Sequence, residues 1–335
     1  MKLLFIFTGG TIGSTLNNGF ISTDQKKSYK LLELYRKQYA SDFEYDVTEP
    51  YIELSENNTG NTVKALCRCV LENVGRSYDG IIITHGTDTL QYSACALSYV
   101  LGLNSVPVCL VSSNYPVEYP KSNGLINLHG AVEFIMGQNP RGVWVSYKNP
   151  GEDLRIHRAS RLASGMAYSD RMNSVYDSFF GYFDQEMIFH KNPRYSEKED
   201  ELKPLSPDGL CEFCESVLRI VPYPGMKYPK PDSDIKYIVH DSFHSGTINS
   251  RQSDIRDFLA YCRQNRISVF LTGIYGGASY ESTKIYDNSF LYPVMNIAPI
   301  SVFMKVWLAL ASGVLPESMI GKSLGGDVFS TETDA

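Results

Sequence analysis

The chain has 335 residues, long for one hydrophobic core and comfortable for two domains. Hydrophobic residues make up 43% and charged residues 20%, an ordinary globular balance. A net charge of -6 argues against a nucleic-acid partner, which needs a concentrated basic face, and no segment approaches the roughly 18 apolar residues of a membrane helix.

Residues 1–7 are too short an apolar run for a secretory signal, and Thr8-Gly9-Gly10 follows with no small-residue cleavage pattern, so a buried strand is expected. Lys2–Phe7, Gly80–Thr84, 106–112 and 142–147 are apolar runs that suit parallel strands buried on both faces. Between them, 29–39, 61–74, Leu90–Leu101 and 125–136 carry apolar residues at helical spacing. This alternation implies an α/β chain with a doubly wound, mostly parallel sheet as its larger N-terminal domain, spanning 1–190. The charged, proline-containing stretch 190–209 reads as a solvated connection, and the linker is set at 191–214. A smaller C-terminal α/β domain, 215–335, follows, with strands at 217–221, 235–240 and 267–272 and helices at 254–266 and Pro299–Ala311.

Seven scattered cysteines argue against a disulfide framework. Cys211 and Cys214 have zinc-ligand spacing, but no second pair accompanies them, so no metal site is expected. His85 reads as a structural histidine at a strand end, and the aromatic stretch 168–183 as packing.

Two strand-ending motifs carry the chemistry. Thr8-Gly9-Gly10-Thr11-Ile12-Gly13 follows the first run, and Thr84-His85-Gly86-Thr87-Asp88-Thr89 follows Ile81-Ile82-Ile83. Ligands of an open α/β sheet bind beyond the carboxyl ends of strands, where glycines let the backbone approach closely. Backbone N–H groups there can hold an oxyanion, threonine hydroxyls supply nucleophiles, and Asp88 can hold an ammonium or orient a base. Thr11, Ser55, Thr87 and Asp88 are therefore expected in one pocket.

T-G-G-T-I and H-G-T-D-T resemble the two signatures of the bacterial-type L-asparaginase family, which includes glutaminase-asparaginases and an ammonia-releasing amidotransferase subunit. Ser55 sits where that family places its substrate-carboxylate serine, and 218–226 resembles the strand opening its C-terminal domain. The resemblance implies an amidohydrolase that converts L-asparagine to aspartate and ammonia, with no metal or organic cofactor. Thr11 would be the nucleophile, with Thr87 and Asp88 managing protons and Gly10, Ser55, Glu56 and Gly86 binding substrate. It also implies a cytoplasmic homodimer or homotetramer, with the turns at 241–247 and 273–279 facing a neighbour's site. Two positions depart from the pattern: Phe20 stands where the family has a lid tyrosine, and Ser164 where it has a lysine. Reduced activity is expected, since serine cannot supply a cation and general acid–base help is worth about 10²–10⁴-fold. The alternatives are an amidase for another ω-amide, or a binding or sensing protein that keeps the pocket.

Overall fold

The computed structural model describes residues 1–10, 12, 14–17, 20–23, 28–39, 43–103, 105–138, 140–251, 253–274, 280–287 and 290–331. Strand β1 (Lys2–Phe7) leads into a hairpin of β2 (Ser14–Asn17) and β3 (Phe20–Thr23), then α1 (Ser28–Tyr39) and β4 (Glu44–Thr48). Next come α2 (Gly60–Leu71), β5 (Gly80–Thr84), α3 (Leu90–Leu101), β6 (Val108–Val111), α4 (Gly124–Gln138) and β7 (Val143–Lys148). Three further strands, β8 (Leu154–Arg158), β9 (Gly181–Phe183) and β10 (Phe189–Lys191), complete an eight-stranded sheet of order β10-β9-β8-β7-β6-β5-β1-β4. Pairing is parallel from β4 to β7 and antiparallel from β7 to β10.

The uninterrupted apolar runs do what a doubly covered strand requires. Leu4 and Ile6 of β1 face α2 and α3, while Leu3, Phe5 and Phe7 face α1 and α4. Ile81 and Ile83 of β5 join the first layer and Ile82 the second. The chain goes from β1 to β4 on one side and then returns to β5 on the other. The gap between β1 and β5 is thus the point where strand order reverses, the place where such sheets bind ligands.

A second, all-parallel sheet of order β11-β12-β13-β14 forms the smaller domain, from β11 (Val217–Ile220), β12 (Tyr237–Asp241), β13 (Ser268–Ile274) and β14 (Leu291–Met295). Helix α5 (Ser253–Gln264) covers one face through Ile255, Phe258, Leu259 and Cys262. Helix α6 (Pro299–Ala311) covers the other face with Val302 and Val306, while Ile300, Met304 and Leu308 enter the core around α2 and α3. The two domains therefore share apolar core. Where they meet, Lys305 Nζ lies 2.6 Å from Asp327 Oδ2 with both side chains fully buried, and Tyr99 OH of α3 lies 2.9 Å from the same oxygen. The tail beyond α6 is bound to the large domain as well. Arg161 donates to the carbonyls of Gly326 (2.7 Å) and Val328 (2.8 Å), and Ser160 to that of Gly325 (2.7 Å).

The segment 190–209 is not the freely solvated connection its charges suggest. Leu205 is buried, and its N–H donates to Tyr99 O at 2.9 Å. The Asp200 carboxylate accepts from Leu103 N and Gly325 N, and Glu197 pairs with buried Arg158 at 2.6 Å. Backbone and side-chain partners thus fix the segment against the large domain, with Leu205, Asp200 and Glu197 all engaged. Among the described residues no helix is long and apolar enough to cross a membrane.

Candidate active site

Both glycine-containing turns meet at the strand-order reversal. Thr8 Oγ1 donates to Thr84 O at 2.7 Å, which ties the end of β1 to the end of β5. Gly9 pairs with Glu53, and Gly10 N donates to Glu53 O at 3.0 Å. The two glycines have φ of +98° and +74°, in the region that disfavours a side chain. Space forbids one too: a Cβ on Gly10 would lie 2.5 Å from Gly86 Cα, and one on Gly86 would lie 2.7 Å from Ser55 Cβ. Gly10, Gly86 and Ser55 are thereby stacked in close contact.

Ser55 opens a short 3-10 turn, Ser55–Asn57, and is buried. Its hydroxyl lies 3.5 Å from Asp88 Oδ2 as donor, and its carbonyl accepts from Thr89 Oγ1 at 2.8 Å. Asn58 Nδ2 donates in turn to Thr89 Oγ1 at 3.0 Å. Glu56, next to Ser55, is exposed. Half-buried Thr87 and exposed Asp88 line a cavity of about 750 Å³, with residues 163–172 on another wall. Thr11 lies outside the described residues. Phe20 begins β3, where it pairs with Asn17 across the hairpin.

His85 is consumed by the scaffold. It is fully buried, with Nδ1 2.8 Å from Gly86 O and Nε2 2.9 Å from Ser93 Oγ. The carbonyl can only accept, so the proton sits on Nδ1 and the Ser93 hydroxyl donates to Nε2. Burial pushes the imidazole down to about 4, so it is neutral near pH 7. His240 is similarly buried, between Asp241 O and Tyr228 OH. Among the described residues no group of three or more His, Cys, Asp or Glu side chains could hold a metal ion. Cys211 is exposed, while burial pushes the Cys214 thiol up to about 12.

Ser164 is exposed on the cavity wall, and its hydroxyl accepts from Arg219 Nη2 at 3.3 Å. Arg219, from β11 of the smaller domain, also binds Tyr92 OH (2.9 Å) and Asp241 Oδ2 (2.7 Å). Tyr92, Arg219 and Asp241 line the cavity; Tyr92 and Arg219 were not foreseen as site residues, and Asp241 opens the turn expected to face a neighbour's site. The available signals were weak: Tyr92 follows Asp88 by one helical turn, and Arg219 is a lone charge in the apolar run Val217–Ile220. The proposed turn at 241–247 flanks a separate cavity of about 310 Å³ through Ser242, Phe243 and His244. The turn at 273–279 lies mostly outside the described residues.

Comparison with known proteins places these features. Residues 2–193 match the family model described as Asparaginase, N-terminal. The chain is 34% identical over 149 residues to the L-asparaginase of Thermococcus kodakarensis, covering 44% of this chain and 44% of that one. It is 29% identical over 164 residues to a glutamyl-tRNA(Gln) amidotransferase subunit of Methanosarcina acetivorans, covering 48% of this chain and 38% of that one. The aligned part thus spans about two fifths of the length of these curated relatives. The solved thermostable L-asparaginase from Thermococcus kodakarensis superposes with a TM-score of 0.78 at 22% identity, over 99% of this chain and all of that one. L-asparaginase I from Vibrio cholerae does so at 0.75 and 16%, over 98% and 99%. At such identities the likeness shows a shared fold. The length of the family match and the two strand-end turns together establish that this chain belongs to the asparaginase family.

Proposed function

We propose that the chain is an amidohydrolase of amino-acid side-chain amides, with L-asparagine as substrate and aspartate and ammonia as products. The observation that carries this reading is the meeting of the two glycine turns at the strand-order reversal, with Ser55, Thr87 and Asp88 gathered beside them. The Thr11 hydroxyl attacks the amide carbon, and its proton passes by way of Thr87 and Asp88 to the departing nitrogen, which leaves as ammonia. Water then cleaves the acyl ester, releasing the acid and restoring the threonine. Ser55, Glu56, Asp88 and the backbone of Gly10 and Gly86 hold the amino-acid end. The names of the relatives, an L-asparaginase and an amidotransferase component, are in keeping with amide chemistry.

The same reading includes a cytoplasmic homodimer or homotetramer with no cofactor. All seven cysteines are free, as a reducing compartment favours. A second reading, an amidase for a larger ω-amide or a binding protein that keeps the pocket, is favoured by one observation. At about 750 Å³ the cavity is in the range that holds ligands far larger than one amino acid. Ammonia release from L-asparagine, L-glutamine and their D-isomers separates these readings. Release that Thr11→Ala abolishes is the expected result; an unimpaired Thr11→Ala enzyme removes the nucleophile assignment. Binding of asparagine without any ammonia release selects the binding protein.

A further inference from the structure

One polar cluster on the cavity wall comes from neither glycine turn. Arg219 reaches across from β11 with its side chain 19% exposed, against Asp241 at 13%. Its guanidinium is oriented by Asp241, with Nη2 2.7 Å from Oδ2 and Nε 3.5 Å from Oδ1. Asp241 Oδ1 also accepts from Thr272 Oγ1 at 3.2 Å, so the carboxylate is fixed from its own sheet. The outer N–H groups of the guanidinium donate to Tyr92 OH and to Ser164 Oγ. Arg171, the other cation on the lining, is engaged by Glu152.

Guanidinium carries donors only, so both hydroxyls must be acceptors in these bonds. A hydroxyl that accepts from a cation keeps its own proton for another acceptor, and the bond polarises that O–H. Among the described residues, neither the Tyr92 nor the Ser164 hydroxyl donates to a protein acceptor. Both side chains line the cavity alongside Thr87 and Asp88. Asp241 balances the charge of Arg219, so the cavity meets two polarised O–H groups and not a bare cation.

We propose that Arg219 makes Tyr92 and Ser164 a pair of proton donors facing the cavity, and that this pair holds negative charge at the reacting end of the bound amino acid. Arg219 is then a positioning residue, acting through two hydroxyls. The inference rests on the amide-hydrolase reading of the site. Asparagine carries negative charge at its reacting end only while the amide is being attacked, whereas aspartate carries it at rest. Loss of the donor pair should therefore weaken aspartate far more than asparagine.

The test is calorimetric titration of aspartate and asparagine into the full chain carrying Thr11→Ala, so that asparagine is not consumed. Adding Arg219→Met should weaken aspartate by about 10–100-fold, as expected for losing hydrogen bonds to a charged group. Asparagine should change by less than about threefold, a fraction of one neutral hydrogen bond. Tyr92→Phe and Ser164→Ala should each move aspartate in the same direction. Equal loss for both ligands in Arg219→Met, or unchanged aspartate affinity in Tyr92→Phe and Ser164→Ala, would assign Arg219 a structural role and overturn the proposal. A Thr11→Ala protein that binds neither ligand overturns the reading of asparagine as substrate, and the donor pair with it.

Discussion

Replacing Gly10 by Ala tests the backbone contact on which the site is built. The added Cβ would lie 2.5 Å from Gly86 Cα, against 3.4 Å for the lower end of ordinary contact, and it would also meet Gly86 N. Neither neighbour is the tip of a flexible side chain, so the two turns must separate by about 1 Å; Thr11, the proposed nucleophile, follows Gly10 in sequence, and Thr87 follows Gly86. A displacement of that size can cost about 10²-fold in rate when it misplaces reacting groups. The φ of +74° adds strain of about 1–2 kcal/mol for a residue with a Cβ. The assay is initial-rate ammonia release from asparagine, with urea unfolding run in parallel. We expect a loss of about two orders of magnitude in kcat alongside a stability loss too small to unfold the protein. A variant within about threefold of wild type, the span of ordinary neutral changes, would show that the turns can part without moving the reacting groups, and the reasoning would fail.

Lys305→Met leaves Asp327 buried without its cation, which should cost about 3–5 kcal/mol in urea unfolding; a loss below about 1 kcal/mol would show that water reaches the carboxylate. His85 and His157 are fully buried and pushed down by burial, to about 4 and about 3. The unfolded chain takes up protons near pH 6.5 while the folded chain does not, so stability is full above that pH and falls as the medium is acidified toward 4. Each histidine contributes about 1.4 kcal/mol per pH unit over that window, and a flat urea midpoint between pH 7 and pH 5 would contradict both burial effects. Ser55→Ala removes the hydroxyl facing Asp88 and should raise KM more than it lowers kcat, whereas a pure kcat loss would move Ser55 out of substrate binding.

The parts of the fold legible in the sequence are those where a local pattern decides the outcome. The apolar runs at Lys2–Phe7 and Gly80–Thr84 and the helices Leu90–Leu101 and Pro299–Ala311 have the bounds that periodicity alone gives them. Strands β8 to β10 went unforeseen because burial there depends on distant partners. Arg158 and His157 are buried in β8, Arg158 over the Trp144 ring at 3.5 Å and against Glu197, and a histidine beside an arginine does not read as core. Strand β14 holds Pro293 and β4 is mostly polar, both features of sheet edges that weaken a strand signal. The site divides in the same way. Gly10, Gly86, Thr87 and Asp88 follow from strand-end motifs. Arg219 meets Tyr92 across 127 positions of sequence, and its pairing with Asp241 depends on the register of β11 against β12.

Helix α6 and the tail after it have a consequence for how the chain is made. A ribosome delivers β1 through β10 long before α6 emerges, and nascent domains generally fold as they appear. Here the outer face of α3 lacks Ile300, Met304 and Leu308, and the buried Arg161 lacks the carbonyls of Gly326 and Val328, until the last segment is synthesised. The large sheet, whose last strand ends at Lys191, must wait for Pro299–Ala311 and the tail with an apolar helix face uncovered and the Arg161 guanidinium open to water. The stretch that matches the family, residues 2–193, leaves this face open by itself, and a protein cut after it would be expected to bind chaperones or aggregate.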